Sequence, residues 1–147
     1  MHCKFCLIFE NVSFQIDTDW RLGFIGRNGR GKTTFLNLLL GKYSYSGNIS
    51  SAVKFEYFPY DVEDKSLYTI EVMKSICTEC MDWEIFREIS LLDVQEDALY
   101  RPFNTLSNGE QTKVLLAALF LTASCFLLID EPTNHLDIDA RNVVQNY

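Results

Sequence analysis

The chain has 147 residues, one ordinary domain's worth and enough to bury a core, which excludes a short disordered peptide and a disulfide-stapled mini-protein. A hydrophobic fraction of 48% and an aromatic fraction of 14% are those of a packed globular protein, far from the low-hydrophobicity regime of disorder. Lys plus Arg number 13 against 20 Asp plus Glu, a formal charge of −7, which argues against a broad electrostatic grip on nucleic acid or an anionic membrane by this chain itself.

In chain order, residues 5–9 form an apolar run too short for the core of a signal peptide, and no small-residue cleavage site follows. Residues 7–16 and 20–25 read as strands, the second running into glycines as a buried strand before a turn does. Residues 32–40 turn helical. Residues 48–58, NISSAVKFEYF, are rich in β-branched and aromatic side chains and predict one or two strands closed by Pro59. Apolar residues then recur every three or four positions over 68–81 and 83–92, predicting two amphipathic helices with acidic outer faces. A third helix is expected over 107–121, with Ser107 as its cap and Glu110 completing a capping box. Residues 125–129, CFLLI, have the uninterrupted apolar pattern of a strand covered on both faces of a parallel sheet. Strands separated by helices predict an α/β fold with a mostly parallel sheet and a helical insertion. The uncharged stretch 114–129, 16 residues long, falls short of the roughly 20 that cross a bilayer, so the expected location is the cytoplasm.

Five cysteines, with no secretory signal, argue against a disulfide framework. Cys3-x-x-Cys6 and Cys77-x-x-Cys80 invite a zinc reading, but the pairs lie far beyond the roughly 15–20 residue separation of a four-cysteine knuckle. Cys77 and Cys80 share helical spacing with Val72, Met73 and Ile76, where cysteine acts as a small core hydrophobe.

Residues 26–33, GRNGRGKT, fit the phosphate-loop pattern G-x-x-x-x-G-K-[ST] between a predicted strand and a predicted helix. Gly26, Gly29 and Gly31 let the backbone curl so that its N–H groups point inward, and the helix N-terminus favours anions. Lys32 supplies a charge for the β- and γ-phosphates, the Thr33 hydroxyl can ligate Mg²⁺, and Thr34 can add a phosphate contact. A century of residues downstream, LLIDEP ends an apolar strand in two carboxylates. There Asp130 is placed to hold Mg²⁺ or its water, and Glu131 to act as general base on an attacking water.

Together with LSNGEQ at 106–111 and DEPTNHLD at 130–137, this sequence closely resembles the ATP-binding cassette ATPases, whose signature is usually LSGGQ or LSGGE; Asn108 stands in place of the middle glycine. The Asn134-His135 pair resembles the family F branch, soluble proteins with two tandem cassettes. The stretches DTDWRLGFIGRNGRGKTT, LYRPFNTLSNGE and KVLLAALF are similar to the N-terminal cassette of the antibiotic-resistance, ribosome-protecting members of that branch. The resemblance implies a P-loop NTPase fold, with a core over 1–60 and 123–147 and a helical subdomain over about 61–122. It implies an ATPase with ATP and Mg²⁺ as cofactors, closing on a second cassette and acting on the ribosome through segments outside this sequence. Asn28, Gly29, Arg30, Gly31, Lys32, Thr33 and Thr34 would hold phosphates and metal, Asp130 the metal, and Glu131 the water. Ser107, Asn108, Gly109 and Glu110 would cap the γ-phosphate bound to the facing cassette, and Leu136 and Asp137 would link the two composite sites.

The resemblance has departures. Tyr60 stands where the family carries a glutamine that reaches the metal, and residues 1–6, MHCKFC, offer no counterpart to its adenine-stacking aromatic. The downstream strand and switch histidine of the family would come after Tyr147, which predicts a partial cassette, truncated at its C-terminal end. Two further readings stay open: the ATP-binding subunit of a membrane transporter, and a non-catalytic remnant.

Overall fold

A computed structural model of the chain describes residues 8–20, 22–27, 29–122 and 125–130. They fall into two compact units, Met1–Val53 and Lys54–Tyr147.

The first unit is built on helix α1, Lys32–Leu39. It ends one residue short of the sequence expectation, in a Schellman closure: the Gly41 N–H donates to Leu38 O at 3.0 Å and the Lys42 N–H to Asn37 O at 2.9 Å. Gly41 takes the left-handed conformation this closure requires, at φ 69°. Phe35 of α1 gathers three rings from the preceding chain, with Phe9, Phe14 and Phe24 centroids 5.9, 5.4 and 5.1 Å away. Here the sequence expectation needs correction, because the described parts of 7–16 and 20–25 are not strands. A strand exists only when a neighbour accepts its ladder of hydrogen bonds, and among the described residues of this unit no neighbouring strand does so. The phenylalanines pack on α1, while Ile8, Val12, Phe14, Trp20, Leu22, Phe24 and Ile25 remain more than half exposed. The turn between the two runs is local: Asp17 Oδ1 accepts from the Asp19 N–H at 3.2 Å, and Asp17 O from the Trp20 N–H at 3.2 Å.

The second unit opens with strand β1, Lys54–Phe58, half the length expected from residues 48–58. Ser51 explains the late start, since its hydroxyl donates to Val53 O at 2.9 Å and accepts from the Val53 N–H at 3.2 Å, diverting the backbone from a ladder. β1 pairs in parallel with β2, Cys125–Ile129, in the register Lys54↔Cys125 to Phe58↔Ile129. The connection between them carries the helices α2, Thr69–Ile76, α3, Asp82–Leu91, and α4, Asn108–Phe120, with 3₁₀ turns at Glu96–Tyr100 and Phe103–Thr105. Parallel strands joined by helices are the α/β arrangement expected.

The core of this unit lies among the three helices. Val72, Met73, Ile85, Ile89, Leu92, Leu99, Phe103, Val114, Leu116 and Leu119 are essentially solvent-free, and Phe58, Leu127 and Ile129 bring one face of the sheet onto them. The helix expected over 68–81 stops at Ile76, and Cys77–Cys80 form a turn in which the Cys80 N–H approaches Cys77 O at 3.5 Å. The buried Cys77 thiol donates to Leu121 O at 3.3 Å, pinning this turn to the end of α4. Burial and the adjoining Cys77 push the Cys80 thiol up to about 12, so it stays neutral. Cys3 and Cys6 lie outside the described residues.

Each of these helices begins with the same device. The carboxylate three residues on accepts from the N-cap amide: Glu71 from Tyr68 at 3.0 Å, Glu84 from Met81 at 2.8 Å, Glu110 from Ser107 at 2.8 Å. A short antiparallel bridge, Tyr68↔Pro102, then ties the start of α2 to the approach to α4. Its bonds run from the Thr69 N–H and hydroxyl to Arg101 O, at 3.0 and 2.9 Å, and from the Phe103 N–H to Leu67 O at 2.9 Å.

Candidate functional site

The glycine-rich loop meets α1 at Gly31, the helix's N-cap, with φ 88° and no side-chain cap. A side chain here meets two obstacles: the left-handed backbone, and Ile8 Cγ2, 2.5 Å from where a Cβ would sit. Gly29 is also left-handed, at φ 75°, whereas Gly26 is not, so a positive φ is demanded at two of the three expected glycines. An α1 N-terminus whose amides have no side-chain cap is the arrangement that accepts an anion. Lys32 reaches back along the loop, its ammonium donating to Gly26 O at 2.8 Å and approaching Arg27 O at 3.4 Å. It holds a positive charge at the loop mouth. Thr33 is exposed and Thr34 half-buried on the first turn, and the Arg30 N–H closes the loop onto Arg27 O at 3.3 Å. Asn28 lies outside the described residues.

The second unit carries the other two expected groups. Ser107 and Asn108 are exposed at the N-terminus of α4, with Gly109 and Glu110 half-buried in its first turn. The capping box forms as expected: Ser107 Oγ accepts from the Glu110 N–H at 3.3 Å and donates to Glu110 Oε2 at 2.7 Å. Those bonds to Ser107 hold the Glu110 carboxyl below its usual range. The anchor is apolar, with Phe103 and Leu106 buried on the approach.

Asp130 stands immediately after β2, its N–H donating to Phe58 O at 2.9 Å and extending the parallel ladder one step. Its Oδ2 accepts from the Tyr57 hydroxyl at 3.3 Å. Burial, and then the Asp130 charge, push the Tyr57 phenol above its usual range, so it remains a donor. Tyr57 is a residue the sequence reading passed over. Its position in β1 reveals nothing until the register sets it opposite Leu128, on the face that Asp130 continues. Tyr60 packs against the hydrophobic cluster. Glu131, Asn134, His135, Leu136 and Asp137 lie outside the described residues, as does residue 7 and the N-terminal hexapeptide.

Carboxylate oxygens carry about four lone-pair sites, so a bond to Tyr57 is compatible with Asp130 also meeting a cation. In the first unit, an uncapped helix start at a glycine beside a lysine suits phosphate; in the second, the Asp130 carboxylate is by itself the kind of oxygen donor that hard cations take.

Residues 9–134 match the family described as "ABC transporter". The chain is 32% identical over 140 residues to ABC transporter F family member 3 of Arabidopsis thaliana, an alignment covering 91% of the chain and 20% of that protein. It is 30% identical over 147 residues to ribosome protection protein VmlR of Bacillus subtilis, covering 94% of the chain and 26% of that protein. The chain thus spans about a fifth to a quarter of these relatives' length. Among solved structures, a putative ABC transporter ATP-binding protein from Pyrococcus furiosus superposes with a TM-score of 0.71 at 21% identity, covering 82% of this chain and 66% of that one. That likeness extends the α/β fold to the P-loop NTPase arrangement expected. No helix among the described residues is long and apolar enough to cross a membrane.

Proposed function

The chain belongs to the ABC transporter family of ATPase domains, and we propose on that premise that it is a nucleotide-binding part of a tandem-cassette, family F protein that hydrolyses ATP while acting on the ribosome, as the antibiotic-resistance members do. The observation that carries nucleotide binding is the start of α1, where a left-handed, uncapped Gly31 is followed at once by a lysine folded along the glycine loop. The family F reading is supported by relatives near 30% identity, among them a family F member and a ribosome protection protein, and by Asn134-His135 in the sequence.

On this reading residues 1–60 and 123–147 form the nucleotide-binding core and about 61–122 the helical subdomain. Gly26, Asn28, Gly29, Arg30 and Gly31 cradle the phosphates with their amides, Lys32 offsets β/γ-phosphate charge, and Thr34 adds a contact. Thr33 and Asp130 would hold Mg²⁺, which when bound supplies charge neutralisation at the transferring phosphoryl group. Glu131 orients and deprotonates the attacking water. Ser107, Asn108, Gly109 and Glu110 serve a nucleotide held by a second cassette. Ribosome contact belongs to other segments, in keeping with the acidic balance, and the protein works in the cytoplasm.

The test is Mg-ATP binding by the purified chain and by Lys32→Ala, followed by fluorescence of a labelled ATP. Wild type is expected to bind weakly, Lys32→Ala to lose binding, and turnover by the chain alone to be negligible for want of a facing signature. Equal binding by the two proteins refutes the site. Brisk hydrolysis independent of protein concentration refutes the need for a second cassette.

A further inference from the structure

We propose that Tyr57 is a positioning residue for Asp130: its hydroxyl, held by the parallel register of β1 on β2, sets the orientation of the carboxylate that meets the nucleotide's metal. The inference rests on the nucleotide-site reading above and adds to it a residue which none of the motifs contains.

The geometry has three parts. Tyr57 lies opposite Leu128 in the paired strands, and Asp130, two residues further on, continues on the same face. The backbone of Asp130 is held by its N–H bond to Phe58 O at 2.9 Å, and the Tyr57 hydroxyl adds a restraint on the side chain. The Tyr57 hydroxyl reaches Oδ2 of that carboxylate at 3.3 Å across 73 residues of chain, in a half-buried setting. A phenol on a rigid ring anchored in a strand is a suitable restraint, because the ring has only two torsions and β1 is held by its pairing and by Phe58 in the core. Groups that hydrogen-bond a metal-binding carboxylate commonly change metal affinity by about 10–100-fold. At 3.3 Å this bond is long for O–H···O, so the expected effect lies at the low end, about tenfold.

The experiment titrates Mn²⁺ into the chain with ATP and reads bound metal by electron paramagnetic resonance. Tyr57→Phe keeps the ring and removes the donor. It is expected to weaken Mn²⁺ binding in the ATP complex about tenfold while leaving metal-free ATP binding and the thermal midpoint unchanged. In an Asp130→Asn background the same change is expected to add less than about twofold, since the tyrosine acts through that carboxylate. Equal Mn²⁺ affinity in wild type and Tyr57→Phe, or full additivity with Asp130→Asn, overturns the role of Tyr57 while leaving the nucleotide site standing. A wild-type chain that binds neither nucleotide nor metal overturns both. If Tyr57→Phe loses metal-free ATP binding and thermal stability as well, the tyrosine is a packing residue and the proposal fails.

Discussion

Gly31 carries two demands at one position, the left-handed backbone at the head of α1 and the approach of Ile8 to 2.5 Å from a virtual Cβ. Either alone is tolerable, because Ile8 can shift and a left-handed alanine costs about 1–2 kcal/mol. Together they disfavour any side chain at the head of the helix. Gly31→Ala is therefore expected to speed amide hydrogen exchange across Lys32–Leu39 by roughly tenfold, the equivalent of that strain. Unchanged exchange would show that the loop relaxes without loss. The need for glycine here was legible in the sequence, since G-x-G-K after an apolar run has few other uses. The identity of the colliding partner was not, because Ile8 is 23 residues away in the chain.

Helix starts in the second unit share one solution, a carboxylate at the third helical position accepting from the N-cap amide. In α4 the Ser107 hydroxyl completes the exchange. Ser107→Ala should cost about 1 kcal/mol at neutral pH, measured by chemical denaturation. The sign of its pH dependence follows from Glu110. Bonds to Ser107 depress that carboxyl below 4.5, so its stabilisation is present above 4.5 and lost as pH falls through the depressed folded value. The difference between wild type and Ser107→Ala should shrink over that acidic window, and a constant difference down to pH 3 would disprove the coupling. The capping box at 107–110 could be read from spacing alone. The stop of α2 at Ile76 could not, because Cys77 leaves the helix to bond the end of α4, a partner 44 residues on.

At the scale of the molecule, the second unit depends on a core shared by three helices and one face of a two-stranded sheet. Phe103 is the largest of its fully buried side chains and lies on the segment that presents Ser107. Phe103→Ala is expected to destabilise by about 3–5 kcal/mol in denaturant unfolding. A loss under 1 kcal/mol would mean that the approach to α4 is held by its backbone bonds to Leu67 and Lys65 alone. Helical periodicity over 68–81, 83–92 and 107–121 announced this core, since residues three and four apart share a face whatever the rest of the chain does.

What the sequence determined by itself is chemistry that acts over one turn: the glycine-lysine-threonine loop at the head of α1, the capping box at 107–110, the helix faces, and the carboxylate ending the apolar run at Ile129. Those signals depend on residues within about four positions of each other, and the family motifs are made of them. Only the tertiary structure decided which apolar runs pair. Residues 8–16 and 22–25 have strand-like composition without a ladder among the described residues, while Lys54–Phe58 finds one 71 positions along in Cys125–Ile129. It alone set Tyr57 beside Asp130, because a parallel register is chosen by how the sheet face packs on α4 and the shared core, and no local pattern around Tyr57 encodes that choice.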